Sequence, residues 1–469
     1  MSLITMKFGG TSVGSTEAIK QTSAIILQHT DQGHQVVTVA SAMAGVTNAL
    51  IKAAHDSEQG DVASYKRIAQ DLRQRHIQTV NELVSVANRR QRLQDEIYGL
   101  LDDFEQLCHS ISIMREVTPR GMDVVSSLGE RLSVRIIAAH LEDIGREAVA
   151  IDSSTLVITN DRFGDAKPDM DVTRKNIQEK VLPLVKRGVL PIITGFMGAT
   201  PNGTITTLGR GGSDYSAGII AACFPADELW IWSDVDGVMT SDPRLTDKAR
   251  TISELGYGEV NELAYFGAKV LHPRTILPVM DYGMPIRVLN TFNPDHPGTT
   301  IRPEPQIVDG AIKAITTISD VNMLTVYGRG MMGVPGIAGR TFTAVAKAGA
   351  SMLMFAQSSS EQSFCFVIPS KSSQAVKKAI EDELERERFR KDVDDVKVEE
   401  NVVIITTVGA GMQTTPGVAA RIFGALGEAG VNVLSIAQGA SEYSTSMVVA
   451  SSDALKAIHA LHSLVQNGQ

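Results

Sequence analysis

Residues Thr206–Ala217 read TTLGRGGSDYSA, and the rest of the chain is organised around them. Gly209, Gly211 and Gly212 flank Arg210, and after Ser213 and Asp214 the chain runs into small apolar residues, Ala217 to Ala222. Closely spaced glycines let a backbone turn sharply and let a ligand approach its N–H groups. The run after Ser213 predicts a helix, whose first N–H groups and positive dipole end would face whatever lies over the glycines. Such a loop suits an anion. Arg210 adds a planar fork for a carboxylate or phosphate, and Asp214 a negative charge for a cation or an ammonium. Taken alone, the same residues also describe an ordinary glycine turn capped by Ser213 or Asp214, so the decision falls to the rest of the chain.

At the amino terminus, Leu3 to Phe8 reads as a short strand that breaks at Gly9 and Gly10, and Thr11, Ser12 and Ser15 offer hydroxyl caps for a helix carrying Ile19, Ile25 and Ile26. Lys7 sits at the strand's end, where its ammonium can reach over the turn to a phosphate. This is not the P-loop, because no GxxxxGK[ST] occurs and here the lysine precedes the glycines. Gln35 to Ala42 reads as a strand buried on both faces, and Ser41 and Thr47 follow at its carboxyl end, where ligands collect in open α/β sheets. Residues 51–115 read as charged peripheral helices. The stretch SSLGERLS, Ser126–Ser133, reads as the opening of a helix, with Glu130 either a dipole partner or the partner of a substrate ammonium.

A further buried strand, Leu190 to Thr194, leads to Gly195-Phe196-Met197-Gly198 just before the glycine loop. After the loop, Leu229 to Trp232 reads as a strand ending in Ser233, Asp234, Asp236, Gly237 and Met239, with Asp242-Pro243-Arg244 beyond. The acidic spacing resembles the start of an EF-hand, but no glutamate closes a 12-residue loop, and a nucleotide or ribose contact fits better. FGAKVLHP, Phe266–Pro273, places a second lysine, Lys269, at a helix end, while His272 before proline reads as structural. Ile286 to Asn290 reads as the last strand of this part, and the proline-rich piece 293–305 as a linker.

The last third repeats itself. Pro335-Gly336 and Pro416-Gly417, Arg340 and Arg421, Phe342 and Phe423, Gly349 and Gly430, Gln357 and Gln438, and Glu361 and Glu442 share one spacing. Each copy reads strand, glycine turn, helix, strand, strand, helix. The second copy ends at its helix, so Ala311 to Ile318 is expected to supply its missing strand, with copy one inserted inside copy two. Within copy one, Gly328-Arg-Gly330-Met-Met-Gly333 spells GxGxxG after a strand, yet no acidic residue ends the next strand and copy two lacks the third glycine, which argues against a dinucleotide site.

Composition narrows the classes. With 469 residues and 43% apolar content the chain has room for about three globular domains. A formal charge of −9 gives no general attraction to nucleic acid or anionic membrane, so neither is an expected partner. The three cysteines are scattered without metal-ligand spacing, and no apolar run approaches a bilayer span, which together point to a reducing cytoplasm. No charged leader precedes an apolar core at the amino terminus, and no signal peptide is expected. A lysine at the end of one strand, glycines at two strand-to-helix turns and an arginine–aspartate pair in the second suggest phosphoryl transfer by positioning and charge neutralisation. An acceptor that is already an anion needs no general base.

KFGGTSV, ASAMAGVTN, SSLGERLS, TGFMG, TLGRGGSDYSA, WSDVDGVMTSDPR, FGAKVLHP and the double C-terminal module together resemble the aspartokinases across essentially the whole chain. With no long homoserine dehydrogenase extension following, the resemblance is to the monofunctional type. It implies an amino acid kinase fold over 1–292, an open, largely parallel sheet between helices. A linker at 293–310 would lead to two ferredoxin-like α+β ACT domains, the first at 321–400 inserted into a second made of 311–320 and 401–469. It implies transfer of the γ-phosphate of ATP, with Mg2+ held through the phosphates and no metal held by the protein itself, to the side-chain carboxylate of L-aspartate. Carried over by motif, Lys7 and Asp214 would be catalytic. Ser41, Thr47, Glu130, Phe196, Arg210 and Ser213 would bind the substrate. Lys7, Gly9, Gly10, Ser233, Asp234, Met239, Arg244 and Lys269 would bind ATP, although Met239 stands where the family often has tyrosine. The ACT resemblance implies a homodimer, or a tetramer built from it, and feedback by an end-product amino acid through Gln357 and Gln438. FAQSSSE and IAQGASE resemble the threonine-responsive pattern, with lysine the alternative effector. Two rivals remain, a kinase for glutamate or its N-acetyl form and a non-catalytic amino-acid sensor.

Overall fold

Two runs of β-branched and apolar residues near the amino terminus, LITMKF and QVVTVA, form neighbouring strands with five of six residues buried in each. Burial on both faces is what a parallel sheet covered by helices requires. The computed structural model describes residues 2–267, 271, 273–304, 312–438 and 442–465, and the chain forms two compact units. The first takes the described residues of 1–238, 253–257 and 270–304, and the second those of 239–252, 258–269 and 305–469.

The first unit holds strands β1 (Leu3–Phe8), β2 (Gln35–Ala40), β3 (Ala148–Ile151), β4 (Leu190–Thr194), β5 (Met197–Ala199), β6 (Ile205–Thr207), β7 (Glu228–Ser233), β8 (Glu254–Gly256), β9 (Ile286–Asn290) and β10 (Thr299–Arg302). Its helices are α1 (Thr16–Asp31), α2 (Val46–Glu58), α3 (Val62–Leu83), α4 (Ala87–Met114), α5 (Pro119–Asp143), α6 (Met170–Lys180), α7 (Leu182–Lys186) and α8 (Gly212–Cys223); α9 (Tyr257–Tyr265) begins here and α10 (Pro273–Met280) lies here. The main sheet runs β3-β4-β2-β1-β7-β9-β10-β8 and is parallel except between β9 and β10. Strand order reverses about β1, so the carboxyl ends of β1, β2, β4 and β7 surround the crevice in which open α/β sheets bind ligands.

Two readings change here. The piece taken for a linker contains β10, because β-branched Thr299, Thr300 and Ile301 follow the punctuation of Pro297-Gly298 and pair with both β9 and β8. SSLGERLS does not open a helix. Helix α5 begins at Pro119, capped by the Thr118 hydroxyl, which accepts from Gly121 N–H at 3.1 Å. Glu130 therefore lies in mid-helix and cannot be a dipole partner at its start.

The second unit is a six-stranded antiparallel sheet in the order β12-β13-β11-β14-β16-β15, from β11 (Ala314–Tyr327), β12 (Met354–Gln357), β13 (Ser363–Pro369), β14 (Asp395–Val408), β15 (Val433–Ala437) and β16 (Ser444–Ala450). Helices α11 (Ile337–Lys347), α12 (Ser373–Glu383), α13 (Glu385–Phe389), α14 (Val418–Glu428) and α15 (Ala454–His462) complete it. The strands shared by the two copies are continuous: residues 314–318 pair with 404–408 and residues 323–327 with 395–399, across register shifts beside Val321. Asp320 and Asn401, at equivalent places in the repeat, take φ of 59° and 56° at these bends. The GxGxxG glycines have a packing role, since a Cβ on Gly328 would lie 2.1 Å from the Asp392 carbonyl oxygen and one on Gly330 2.7 Å from Asp392 Cα.

Two segments that interrupt the first unit in sequence are built into the second. Glu259 of α9 is fully buried, pairs with Lys313 Nζ at 3.0 Å and accepts from Ala410 N–H at 2.7 Å. Thr240 Oγ1 lies 2.9 Å from His462 Nε2, and Arg250 donates to the Val465 carbonyl at 2.9 Å. Breaking a buried pair by truncating one partner costs about 3–5 kcal/mol. Glu259→Ala is therefore expected to lower the unfolding temperature of the second unit clearly, read by differential scanning calorimetry, while an unchanged transition would show that the pair does not anchor α9.

Candidate active site

Lys7 is the penultimate residue of the central strand β1, with its side chain 10% exposed, and lysine is seldom buried unless paired. Its Nζ lies 2.5 Å from Oδ1 of Asp214, in the first turn of α8. The amino-terminal strand and the glycine loop thus meet at one ion pair. Around it lies a cavity of about 620 Å3 lined by Lys7, Gly10, Ser41, Thr47, Glu130, Phe196, Arg210, Ser213 and Asp214. Every residue expected to bind the acceptor faces this one space.

Each comes from a strand end or helix that the sheet places there. Ser41 and Thr47 follow β2, and the Ser41 backbone is held at both ends, its N–H by the Phe8 carbonyl at 3.1 Å and its carbonyl by the Ser133 hydroxyl at 2.7 Å. Phe196 follows β4 with φ of 68°, a left-handed conformation that is uncommon outside glycine, and its carbonyl accepts from Leu208 N–H at 2.9 Å. Its ring lies on the glycine loop: a Cβ on Gly212 would come within 2.6 Å of it, and one on Gly195 within 2.8 Å of Ser213 Cβ. Arg210 is exposed at the rim.

Glu130 is 3% exposed and its Oε2 has no hydrogen-bond partner among the described residues. Burial pushes its carboxyl up to about 8, against the opposing pull of the Ala42 amide, the Lys7 charge and the Ser213 hydroxyl. Burial therefore favours its neutral form. A cation placed beside it would draw the proton off.

The nucleotide set is distributed differently. Gly10 lines the cavity, and Gly9 N–H donates to the Trp232 carbonyl at 3.0 Å, beside Ser233 at the end of β7. Asp234 follows, exposed. Met239 and Arg244 belong to the second unit, where Thr251 Oγ1 donates to the Met239 sulfur at 3.6 Å and Arg244 pairs with Asp242 at 2.6 Å. Lys269 lies outside the described residues. Gln357 ends β12 and Gln438 follows β15, both exposed. Among the described residues, no three His, Cys, Asp or Glu side chains cluster as metal ligands would, and no helix is long and apolar enough to cross a membrane.

Sequence reasoning passed over Asp123, a cavity-lining carboxylate that is 1% exposed. It accepts from Thr207 N–H at 2.9 Å, Thr207 Oγ1 at 2.7 Å and Gly164 N–H at 3.0 Å. Burial raises its carboxyl above the ordinary value, and these three donors pull it back. The available signal was spacing, since Asp123 stands two helical turns before Glu130 and therefore on the same face.

Residues 2–290 match the model of the amino acid kinase family, and residues 324–384 and 405–464 match an ACT domain. The chloroplastic bifunctional aspartokinase/homoserine dehydrogenase 1 of Arabidopsis thaliana is 36% identical over 97% of this chain and 50% of that protein. The chain spans about half the length of the bifunctional relatives it matches. Aspartokinase 3, chloroplastic, of the same plant is 34% identical over 98% of this chain and 80% of its own. Among solved structures, E. coli aspartokinase III in complex with aspartate and ADP (R-state) superposes with a TM-score of 0.79 at 29% identity, covering 99% of both chains. The same enzyme in complex with lysine and aspartate (T-state) gives 0.80 at 28%, over 99% of this chain and 100% of that one. The chain belongs to the amino acid kinase family, in its aspartokinase branch, with tandem ACT domains following the kinase domain.

Proposed function

We propose that this protein is an aspartate kinase, transferring the γ-phosphate of ATP to the β-carboxylate of L-aspartate to give 4-phospho-L-aspartate, the first step toward lysine, threonine and methionine. The observation that carries the reading is the Lys7–Asp214 pair at 2.5 Å inside a cavity that also presents Arg210 and Glu130. That set matches the acceptor's charges: the guanidinium of Arg210 for the α-carboxylate, Glu130 for the α-ammonium, and Lys7 for the transferring phosphoryl group. The β-carboxylate oxygen attacks the γ-phosphorus, the bond to the β-phosphate oxygen breaks and ADP leaves with that electron pair. The attacking group is already an anion, so no base is required.

Asp214 holds the Lys7 ammonium in place, and the N–H groups at the start of α8 add positive potential. Mg2+ fits as a companion of the nucleotide, because Asp214 is committed to Lys7 and Asp123 to three donors, which leaves Glu130 alone among the cavity's carboxylates. It would neutralise phosphate charge. Ser233, Asp234, Gly9 and Gly10 at the sheet's carboxyl edge form the proposed nucleotide set, and the nucleotide roles of Met239, Arg244 and Lys269 rest on the family resemblance alone.

The ACT domains are read as a feedback device acting in a homodimer or a tetramer built from it. Threonine is favoured as effector from FAQSSSE and IAQGASE, and lysine, present in one E. coli aspartokinase III complex, is the alternative. Three cysteines without disulfides suit a reducing compartment such as the cytoplasm. A coupled ADP-release assay across L-aspartate, L-glutamate and N-acetyl-L-glutamate tests the assignment: activity with aspartate is expected, and activity confined to another acceptor would overturn it.

Two outcomes follow from the site and one from the ACT domains. Lys7→Ala is expected to lower kcat by about 10³-fold or more while the circular dichroism spectrum is retained, and a near-normal rate would remove Lys7 from the chemistry. Because free Glu130 is largely protonated below about pH 8 and a bound ammonium favours its carboxylate, aspartate binding at about pH 7 should release close to one proton. Calorimetry in buffers of different ionisation enthalpy reads this, and the release should shrink toward about pH 9.5 and vanish in Glu130→Gln. Finally, threonine should inhibit in a titration of ADP release and lysine should not, with the reverse result reassigning the effector.

A further inference from the structure

We propose that Asp123 is a positioning residue for the acceptor: it sets the height of the glycine loop and so the reach of Arg210, without itself taking part in the chemistry. The proposal rests on the aspartate kinase reading for the identity of the acceptor, though its structural core stands on geometry alone.

The glycine loop leaves β6 at Thr207 and reaches Arg210 three residues later. Thr207 is held on all its polar atoms: its N–H and hydroxyl donate to Asp123, and its carbonyl accepts from Ala166 N–H at 2.9 Å. Asp123 takes the Gly164 N–H on the same Oδ2 atom that receives the Thr207 N–H. Gly164 is the other side of a tight contact, since its carbonyl oxygen would lie 3.0 Å from a Cβ placed on Gly209. One buried carboxylate therefore pins two segments, 84 and 41 residues away, that pack against each other beneath the turn. Arg274 completes the footing by pairing with Asp165 and donating to the Leu208 carbonyl.

The carboxylate's hydrogen bonds leave room for a discriminating substitution. In Asp123→Asn the amide oxygen can occupy the place of Oδ2 and accept both N–H groups, while its NH2 donates to Thr207 Oγ1, which as a hydroxyl can accept instead. Geometry is preserved and charge is lost. If Asp123 acted through its charge, as a base or a metal ligand, asparagine would fail as badly as alanine.

The test combines kinetics with crystal structures of the full-length protein carrying Asp123→Ala, Asp123→Asn or Thr207→Val. Asp123→Ala should raise KM for aspartate about ten-fold or more and leave KM for ATP within about two-fold, because a misplaced clamp costs acceptor binding. Asp123→Asn should recover most of that loss. In an Arg210→Ala background, where the clamp is already absent, Asp123→Ala should add less than about two-fold, the non-additivity expected of residues acting through one another. In the crystal structures residues 208–212 should shift in the alanine variant and stay in place in the asparagine variant. Thr207→Val keeps the backbone bond and removes one of three, so it should give a smaller change in the same direction and stands in if the alanine variant does not fold.

The proposal is overturned if asparagine is as damaging as alanine, if alanine raises both KM values alike, if its cost persists without Arg210, or if the loop does not move. Should the wild-type protein phosphorylate a different acceptor, the functional reading fails while the loop displacement still decides the role of Asp123.

Discussion

A lysine ammonium at the end of a central, doubly covered strand needs a counter-charge, and that requirement organises the first unit. Removing such a group from water is costly unless a partner repays it, so the Lys7–Asp214 pair ties the end of β1 to the first turn of α8. Where α8 starts then fixes where the glycine loop and Arg210 lie. The same arrangement leaves the pair poised for ligands. A phosphoryl group entering the cavity meets an ammonium already oriented, with little reorganisation left for the moment of reaction. Stability and chemistry are served by one contact.

Glu130 and Asp123 show how one helix can present two carboxylates to one cavity in opposite roles. Glu130 has no partner on Oε2 among the described residues and is pushed toward its neutral form, which suits a group that waits for a cation. Asp123 is held by three donors of the protein itself. The difference is the environment, not the residue type. In the second unit the repeat is likewise more than duplication. Two fourteen-residue strands run through both copies, so the two copies share one continuous sheet. The α9 residue Glu259 and the 239–252 segment are fastened within this unit by polar contacts, Glu259 to Lys313, Thr240 to His462 and Arg250 to the Val465 carbonyl.

Much of this was legible because the signals are local. Strands buried on both faces announce themselves as continuous apolar runs, and a glycine cluster between strand and helix marks a ligand-facing turn. The acceptor residues could be placed in one cavity because each follows a strand end or lies on the helix beside it. The start of α5 was hidden by Gly121 and Gly129, which lower helix propensity and masked the Thr118–Pro119 cap. Asp123 could not be valued from sequence, because its partners lie 41 and 84 positions away. The continuity of β11 and β14 was equally hidden, since Asp320 and Asn401 look like turn residues and instead bend strands that carry on. The placement of Met239 and Arg244 in the second unit goes with long-range contacts that no motif encodes, such as the Ile315 N–H donating to the Thr240 carbonyl.

The central claim is that Lys7 and the glycine loop together receive the phosphoryl group in transit. A crystal structure with Mg2+, ADP, aluminium fluoride and L-aspartate tests it most directly. The account predicts the planar fluoride within hydrogen-bond distance of Lys7 Nζ, with the aspartate α-carboxylate on Arg210. A fluoride bound away from Lys7, with this cavity empty or the amino acid seated elsewhere, would contradict it.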